Sequence, residues 1–413
     1  GSFKLPFFFV ASFYYFHRMK QIILSAFVLL ATTLFAQKDS TQYWLGKSTG
    51  KLPAISFGLG DDRLGGTKMG YIDTNVTIKV IDSVQNMYAI QLSKLHSAFI
   101  EKIYVKKDFL LKEKPFSLTG SIMAKGTDTC YDIVSISLDE KLPYRSWMEI
   151  DPSKIMIDIF GVQANTNWIT QLSSLKEIKN IYYNQVEDDV VRVTIELKHQ
   201  QHWGYSIGYK NKILQLKVKR QPPILDIKKL KIAIDAGHGG TNLGTDGVKT
   251  KASEKEYTLK FAKALSSTLK KKGIANIVMT RTNDTTFDNK DRILFLQQEN
   301  PDFLISLHLN SSNNKEVSGS STYYKHIGFR PLSQTILRRM FEIKLNEFGN
   351  VGNFNFVLNA PTDFVNTLLE VAFLSNEADE KRVIDPKFPN KLALQIYKGM
   401  IDWLNDVKKQ KLQ

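Results

Sequence analysis

A chain of 413 residues is too long for one small domain and points to two or three units, and its 43% hydrophobic and 23% charged content is ordinary globular composition with enough apolar residues for a sizeable core. The formal charge of +15, with pI near 9.4, suits an acidic partner such as cell-wall polymer, anionic lipid or nucleic acid, unless the lysines are simply solvated across several domains. Nucleic acid is disfavoured because no arginine-rich cluster or zinc-finger spacing occurs, and the single Cys130 excludes an intramolecular disulfide framework.

In chain order, Met19-Lys20 leads into IILSAFVLLATTLFA and then a polar stretch from Gln37. A positive start, a short apolar core and a small residue, Ala36, read as a secretory signal. The run falls short of the roughly 20 apolar residues that a membrane span needs, so a retained anchor is the second reading. Residues 1–36 are assigned to an upstream segment and this signal. The product is expected to be exported to the periplasm or cell envelope, without a stable membrane span in the mature chain.

Residues 40–110 carry short alternating runs between turns, as in VTIKVIDS, YAIQL and AFIEKIYV, with Val76, Ile78 and Val80 on one face. That predicts a small antiparallel barrel or sheet. The stretches GYIDTNVTIKVID and FIEKIYV weakly resemble bacterial Src-homology-3-like modules. Residues 115–220 form a second β-rich unit, with strands expected at DIVSISL, KIMIDIF and VVRVTIEL. YRSWMEIDPSKIMIDIFG followed by VVRVTIEL resembles the amidase N-terminal (AMIN) domain, which implies a β-sandwich that targets envelope polymers. KRQPPILDIKK, 219–229, reads as a linker, because two prolines do not continue a central strand.

From 229 to 410 the pattern becomes alternating strands and helices. KIAIDAG, NIVMT, DFLISLHL, STYYK and NTLLEVAF are predicted strands. EKEYTLKFAKALSSTLKKKG is predicted as an amphipathic helix closed by Gly273, and further helices are expected around 290–299, 331–347 and 388–406. The fold class is therefore an α/β catalytic domain, a mixed or mostly parallel sheet flanked by helices, behind N-terminal all-β modules.

Three of the seven histidines fall in this last domain: His238, His308 and His326. His238 follows the strand KIAID, and His308 ends the apolar run DFLISLHL. Ligands collect outside the carboxyl ends of strands in open α/β sheets, so both imidazoles are expected at one edge. In TKASEKEYTL, Ser253-x-x-Glu256 has the form of a capping box, which occupies Glu256 and leaves Glu254 to face the strand ends. His238, Glu254 and His308 then make a two-histidine, one-carboxylate set with an open position, the arrangement of catalytic zinc. Such a site needs a proton carrier, and Glu370, alone in the apolar strand NTLLEVAFLSN, is the candidate. Gly239, Gly240, Asn310 and Tyr324 are candidates for contacting substrate, with His326 beside them; Gly239-Gly240 offers room for substrate or a tight turn. Arg281 and Arg292 read as either site residues or structural ion-pair partners.

DAGHGG, EKEYTL, SLHLN and LLEVAFLSN occur in the order found in the zinc-dependent N-acetylmuramoyl-L-alanine amidases, a resemblance that covers 229–408. It implies His238, Glu254 and His308 as zinc ligands and Glu370 as catalytic glutamate. It implies peptidoglycan as substrate, cut at the amide between N-acetylmuramic acid and the L-alanine of the stem peptide. Ala236, Leu309 and Val365 depart from the family's usual proline, alanine and proline, which touches loop shape and removes no chemical group. The segment between His308 and Glu370 is too short for the helical insert that plugs the site in members governed by cell-division activators, and no plug is expected. The N-terminal β modules leave room for a protein activator or envelope polymer as partner. The rival readings are a zinc peptidase acting within the stem peptide and a wall-binding scaffold without turnover.

Overall fold

Alternating valines and isoleucines shape the N-terminal region: Val76, Ile78 and Val80 are all buried, and the residues between them face outward. The computed structural model describes residues 43–410 and 412, apart from 61–63, 115 and 128, so the expected signal lies outside the described residues. Seven short strands within Trp44–Lys107 form one sheet, in the order 68–71, 54–56, 97–101, 87–91, 77–84, 44–48 and 105–107. Among the described residues no helix is long and apolar enough to cross a membrane.

Residues 117–219 build two sheets around one core. One is antiparallel, in the order 144–150, 153–160, 190–197 and 178–187. The other carries 117–126, 131–138, 213–219 and 205–210 with short flanking pieces. Val191, Val193, Ile195 and Leu197 point inward, as a period of two demands. The prolines of 219–229 do stop the last strand, but the segment is no free tether. Lys219 is buried and pairs with Asp302 at 3.2 Å, while Ile227 and Leu230 enter the core.

The C-terminal domain, whose elements are numbered here on their own, is a mixed six-stranded sheet with five helices among the described residues. Its strands are β1 (Ile232–Ala236), β2 (Ile277–Met279), β3 (Phe303–Asn310), β4 (Ser320–Tyr323), β5 (Glu347–Val351) and β6 (Val365–Phe373), in the order β2-β1-β3-β6-β4-β5. β2, β1, β3 and β6 run parallel, and β4 runs antiparallel to β6. The helices are α1 (Glu254–Lys271), α2 (Asn289–Glu299), α3 (Arg330–Met340), α4 (Glu377–Val383) and α5 (Phe388–Lys409). Gly273, at φ +80°, ends α1 because the left-handed conformation there carries no Cβ penalty.

The helix expected over 331–347 is shorter: Lys344 turns left-handed and the chain enters the edge strand β5. Between His308 and Glu370 the only α-helix is α3, and it packs on α5, where a Cβ on Gly399 would lie 2.6 Å from the Ile336 Cα. It does the fold's own work and is no plug.

At the amino ends of β3 and β6 the sandwich and the α/β domain share one apolar core. Trp203 packs on Trp403 at a tilt, ring centroids 5.3 Å apart, Trp403 meets Phe303 edge-on, and the Trp403 indole N–H donates to Gln201 Oε1 at 2.9 Å. Gly204 adopts φ +110°, and a Cβ there would collide with the Asp363 carbonyl. Both tryptophans are fully buried, so this end of the sheet is closed by packing.

Candidate metal centre

The opposite end of the sheet is polar. β1 ends at Ala236, and the chain turns through Gly237 to His238, whose φ of +61° is unusual for a residue with a Cβ and costs about 1–3 kcal/mol. Two buried arginines hold that turn. Arg292 pairs with Asp235 at 2.6 Å and donates to the Ala236 and His238 carbonyls, while Arg281 donates to the carbonyls of Ala236, Gly237 and Lys255. Asp235 also accepts from Thr280 and Ser306 hydroxyls. Burial opposes its ionisation, but the guanidinium of Arg292 and these donors hold its carboxyl below the usual range. Both arginines therefore act on the backbone of the His238 turn.

His308 comes from β3 and Glu254 from the first position of α1. Glu254 Oε1 lies 3.0 Å from His238 Nε2 and 3.1 Å from His308 Nδ1, and the two rings meet edge-to-face at 4.9 Å. One potential ligand atom from each residue falls within 4.8 Å of the others. Burial alone would raise the Glu254 carboxyl, yet hydrogen bonds from both histidines hold it well below the ordinary carboxylate range. Burial likewise disfavours a charged His238, and the Glu254 carboxylate outweighs it and raises the imidazole.

The surroundings leave no slack. A Cβ on Gly237 would sit 2.3 Å from the His308 ring, and one on Gly244 would sit 2.4 Å from Glu254 Oε2. Glu254 also accepts from the backbone N–H of Leu309 and Thr245, each at 2.9 Å. Asn242 Oδ1 lies 2.9 Å from His238 Nδ1, so a neutral His238 that donates there presents Nε2 as an acceptor. Two neutral imidazoles and a carboxylate, fixed by a second layer of hydrogen bonds, suit a divalent ion such as zinc.

Glu370 lies on β6 as the direct partner of His308 across the parallel pairing, so both Cα–Cβ vectors leave the same face of the sheet. It is 6% exposed. The structure thus gathers His238, Glu254, His308 and Glu370 at one edge, with Asn310 at the end of β3 accepting from the Ser311 N–H.

Other expected residues are elsewhere. β4 runs down the sheet from Ser321, opposite Glu370, so Tyr324 follows its far end and donates its N–H to the Val351 carbonyl. His326 lies at that end too, with Nε2 2.9 Å from the Ala360 carbonyl oxygen, and burial pushes its imidazole down to about 4. The antiparallel direction of β4 removes both from the cleft. Gly239 (φ +128°) and Gly240 (φ +58°) make close approaches, but to protein: a Cβ on either would strike Thr285 or Thr286. The predicted capping box also does not form. Glu256 is exposed and pairs with Lys260 at 2.7 Å, and the Ser253 hydroxyl makes no hydrogen bond. The Thr245 and Leu243 carbonyls already take the N–H groups of Glu254 and Lys255, which makes side-chain capping unnecessary. Asp235, Asn242, Gly237 and Gly244 escaped the sequence reading; the only hints were the spacing His-x-x-x-Asn and the density of glycine.

Fold and site together define a class: an α/β domain presenting a two-histidine, one-carboxylate cluster at the carboxyl edge of its sheet, able to hold a metal ion. Residues 232–402 match the N-acetylmuramoyl-L-alanine amidase family, and 124–221 match the AMIN domain. The match is confined to the C-terminal domain, which is thus of the amidase family, and an AMIN domain precedes it. It is 29% identical over 188 residues to "Probable cell wall amidase LytH" of Staphylococcus saprophyticus, a match covering 45% of this chain and 62% of the relative. The Staphylococcus aureus protein of the same name is 31% identical over 170 residues, covering 41% and 56%. The chain thus spans about three-fifths of the length of these relatives. Among solved structures, an N-acetylmuramoyl-L-alanine amidase from Clostridium difficile 630 aligns with TM-score 0.41 and 31% identity, covering 43% of this chain and 97% of that one. The catalytic domain of the amidase CwlV from Bacillus (Paenibacillus) polymyxa var. colistinus aligns with TM-score 0.40 and 29% identity, covering 43% and 98%.

Proposed function

We propose that this chain is an exported peptidoglycan hydrolase of the cell envelope, cleaving the amide between the lactyl group of N-acetylmuramic acid and the L-alanine of the stem peptide. The observation that carries this is the convergence of His238, Glu254 and His308 within 4.8 Å, beside Glu370 in register with His308. His238 through Nε2, His308 through Nδ1 and one Glu254 oxygen would hold zinc, which when bound polarises a carbonyl and acidifies water.

The chain's own residues do the rest. Asn242 orients His238, and the Leu309 and Thr245 N–H groups keep the Glu254 carboxylate aimed and ionised. Hydrolysis adds the oxygen of water to the lactyl carbonyl carbon, breaks the C–N bond and returns a proton to the departing nitrogen. Glu370 is read as the carboxylate that takes that proton from water and delivers it to nitrogen, a role supported by its pairing opposite His308. The AMIN domain, fused to the other end of the sheet, is read as the part that keeps the catalytic domain on the wall polymer.

Digestion of purified peptidoglycan with and without a chelator tests this reading. The expected products are intact stem peptides with a free N-terminal alanine, lost on chelation and restored by zinc. Peptides cut within the stem would instead indicate a peptidase, and no products with zinc bound would indicate a scaffold.

A further inference from the structure

We propose that the turn Asp108–Leu111 is a membrane-contact tip, which seats Phe109 and Leu110 in the interfacial layer of an anionic lipid bilayer. Phe109 is 84% and Leu110 90% exposed, two large apolar side chains adjacent in sequence and both turned to solvent. Leaving them there forgoes the burial that Ile78, Val80 and Ile90 achieve in the same region.

The turn that presents them is built. The Asp108 N–H donates to the Leu45 carbonyl at 3.1 Å, which ties the turn to the neighbouring strand. The Asp108 carboxylate accepts from the Leu110 N–H at 3.0 Å, and its carbonyl accepts from Leu111. Insertion of such a preformed tip orders little new chain.

Charge selects the occupant. Lys106 and Lys107 precede the turn and Lys112 follows it, all exposed, and the Lys107 ammonium lies 4.9 Å from the Phe109 ring centroid. The nearby acids are Asp108, within the turn, and Glu113, which pairs with Lys79 at 2.6 Å, so lysines outnumber carboxylates around the tip. Apolar side chains at the apex with lysines behind them match acyl chains below and anionic headgroups above. A docked protein fits less well. Two side chains fall far short of the roughly 800 Å² per partner that a stable interface buries.

The test uses the full chain with Leu110→Cys in a Cys130→Ser background, labelled with an environment-sensitive dye. On vesicles of phosphatidylcholine with about 30% phosphatidylglycerol, the label should shift to the blue, and about 0.5 M salt should weaken the shift. Co-sedimentation should fall about tenfold or more in the unlabelled Phe109→Ser/Leu110→Ser chain. The label reports the tip itself, so binding through any other apolar segment would leave it unshifted and overturn the proposal. Equal binding to neutral vesicles, or wild-type partition of the double variant, would overturn it as well. None of these readouts involves the metal centre.

Discussion

The two ends of the C-terminal sheet each hold a pair of histidines, and the pairs have opposite fates. At the amino ends, His202 is buried and His326 half-buried, each held by a backbone carbonyl, of Glu149 and Ala360 respectively. Burial pushes both imidazoles down to about 4. At the carboxyl ends, His238 and His308 share one carboxylate and keep partial exposure. A carbonyl satisfies one ring N–H and asks for nothing further, whereas a carboxylate between two rings creates a set of donors aimed at a common point. Partner chemistry, and not burial alone, separates a structural histidine from a ligand.

The contrast is open to direct attack. Glu370→Ala should lower kcat on peptidoglycan by roughly 10²–10⁴-fold, the range for a lost general acid–base, while zinc content measured on the purified protein stays at wild-type level. Simultaneous loss of metal would return Glu370 to a structural role. At the other end, Trp403→Ala should cost about 3–5 kcal/mol in urea unfolding, because it removes a buried indole shared by both domains. A small loss would mean the two cores are not coupled.

The amino-end pair also predicts acid sensitivity. His202 and His326 are neutral in the folded chain, so the unfolded state binds more protons once pH drops below its own histidine range. Stability is then full above about pH 6.5 and should fall by about 1.4 kcal/mol per pH unit for each histidine towards pH 4. His202→Gln should flatten that slope in denaturation curves at pH 7 and 5, and an unchanged slope would assign the sensitivity elsewhere. The smallest expected effect is at Asn242→Ala, about 10–100-fold in zinc affinity by competition titration, with folding unaffected.

Much of the site was legible in the chain because strands advertise themselves. Apolar runs that end in His238 and His308 must be buried, and parallel strands deliver their ends to one edge. Glu254 was selected over Glu256 by supposing a capping box. The structure places Glu254 in the cluster with no such box, so that supporting reason fails: loop carbonyls, invisible in sequence, cap the helix. Nothing local tells that β4 runs antiparallel, which carries Tyr324 and His326 away from Glu370. Of the two readings of Gly239 and Gly240, room for substrate or a tight turn, the structure has the turn, closed by the Gly239–Asn242 backbone pair with Thr285–Thr286 packed against it.

Sequence by itself determined most of the strands and helices, though not the end of α3, the edge strand β5 or the short helix α4, and also where the β-rich half gives way to the α/β half and which side chains carry ligand chemistry. These follow from periodicity and residue type, which are local. Only the tertiary structure decided which groups meet. Strand direction separated His326 from His308, and the Asp235, Arg281 and Arg292 network held His238 in a left-handed turn. The same packing welded the sandwich to the far end of the sheet through Trp203 and Trp403. Contacts between residues distant in the chain depend on register and packing, which no stretch of the sequence contains alone.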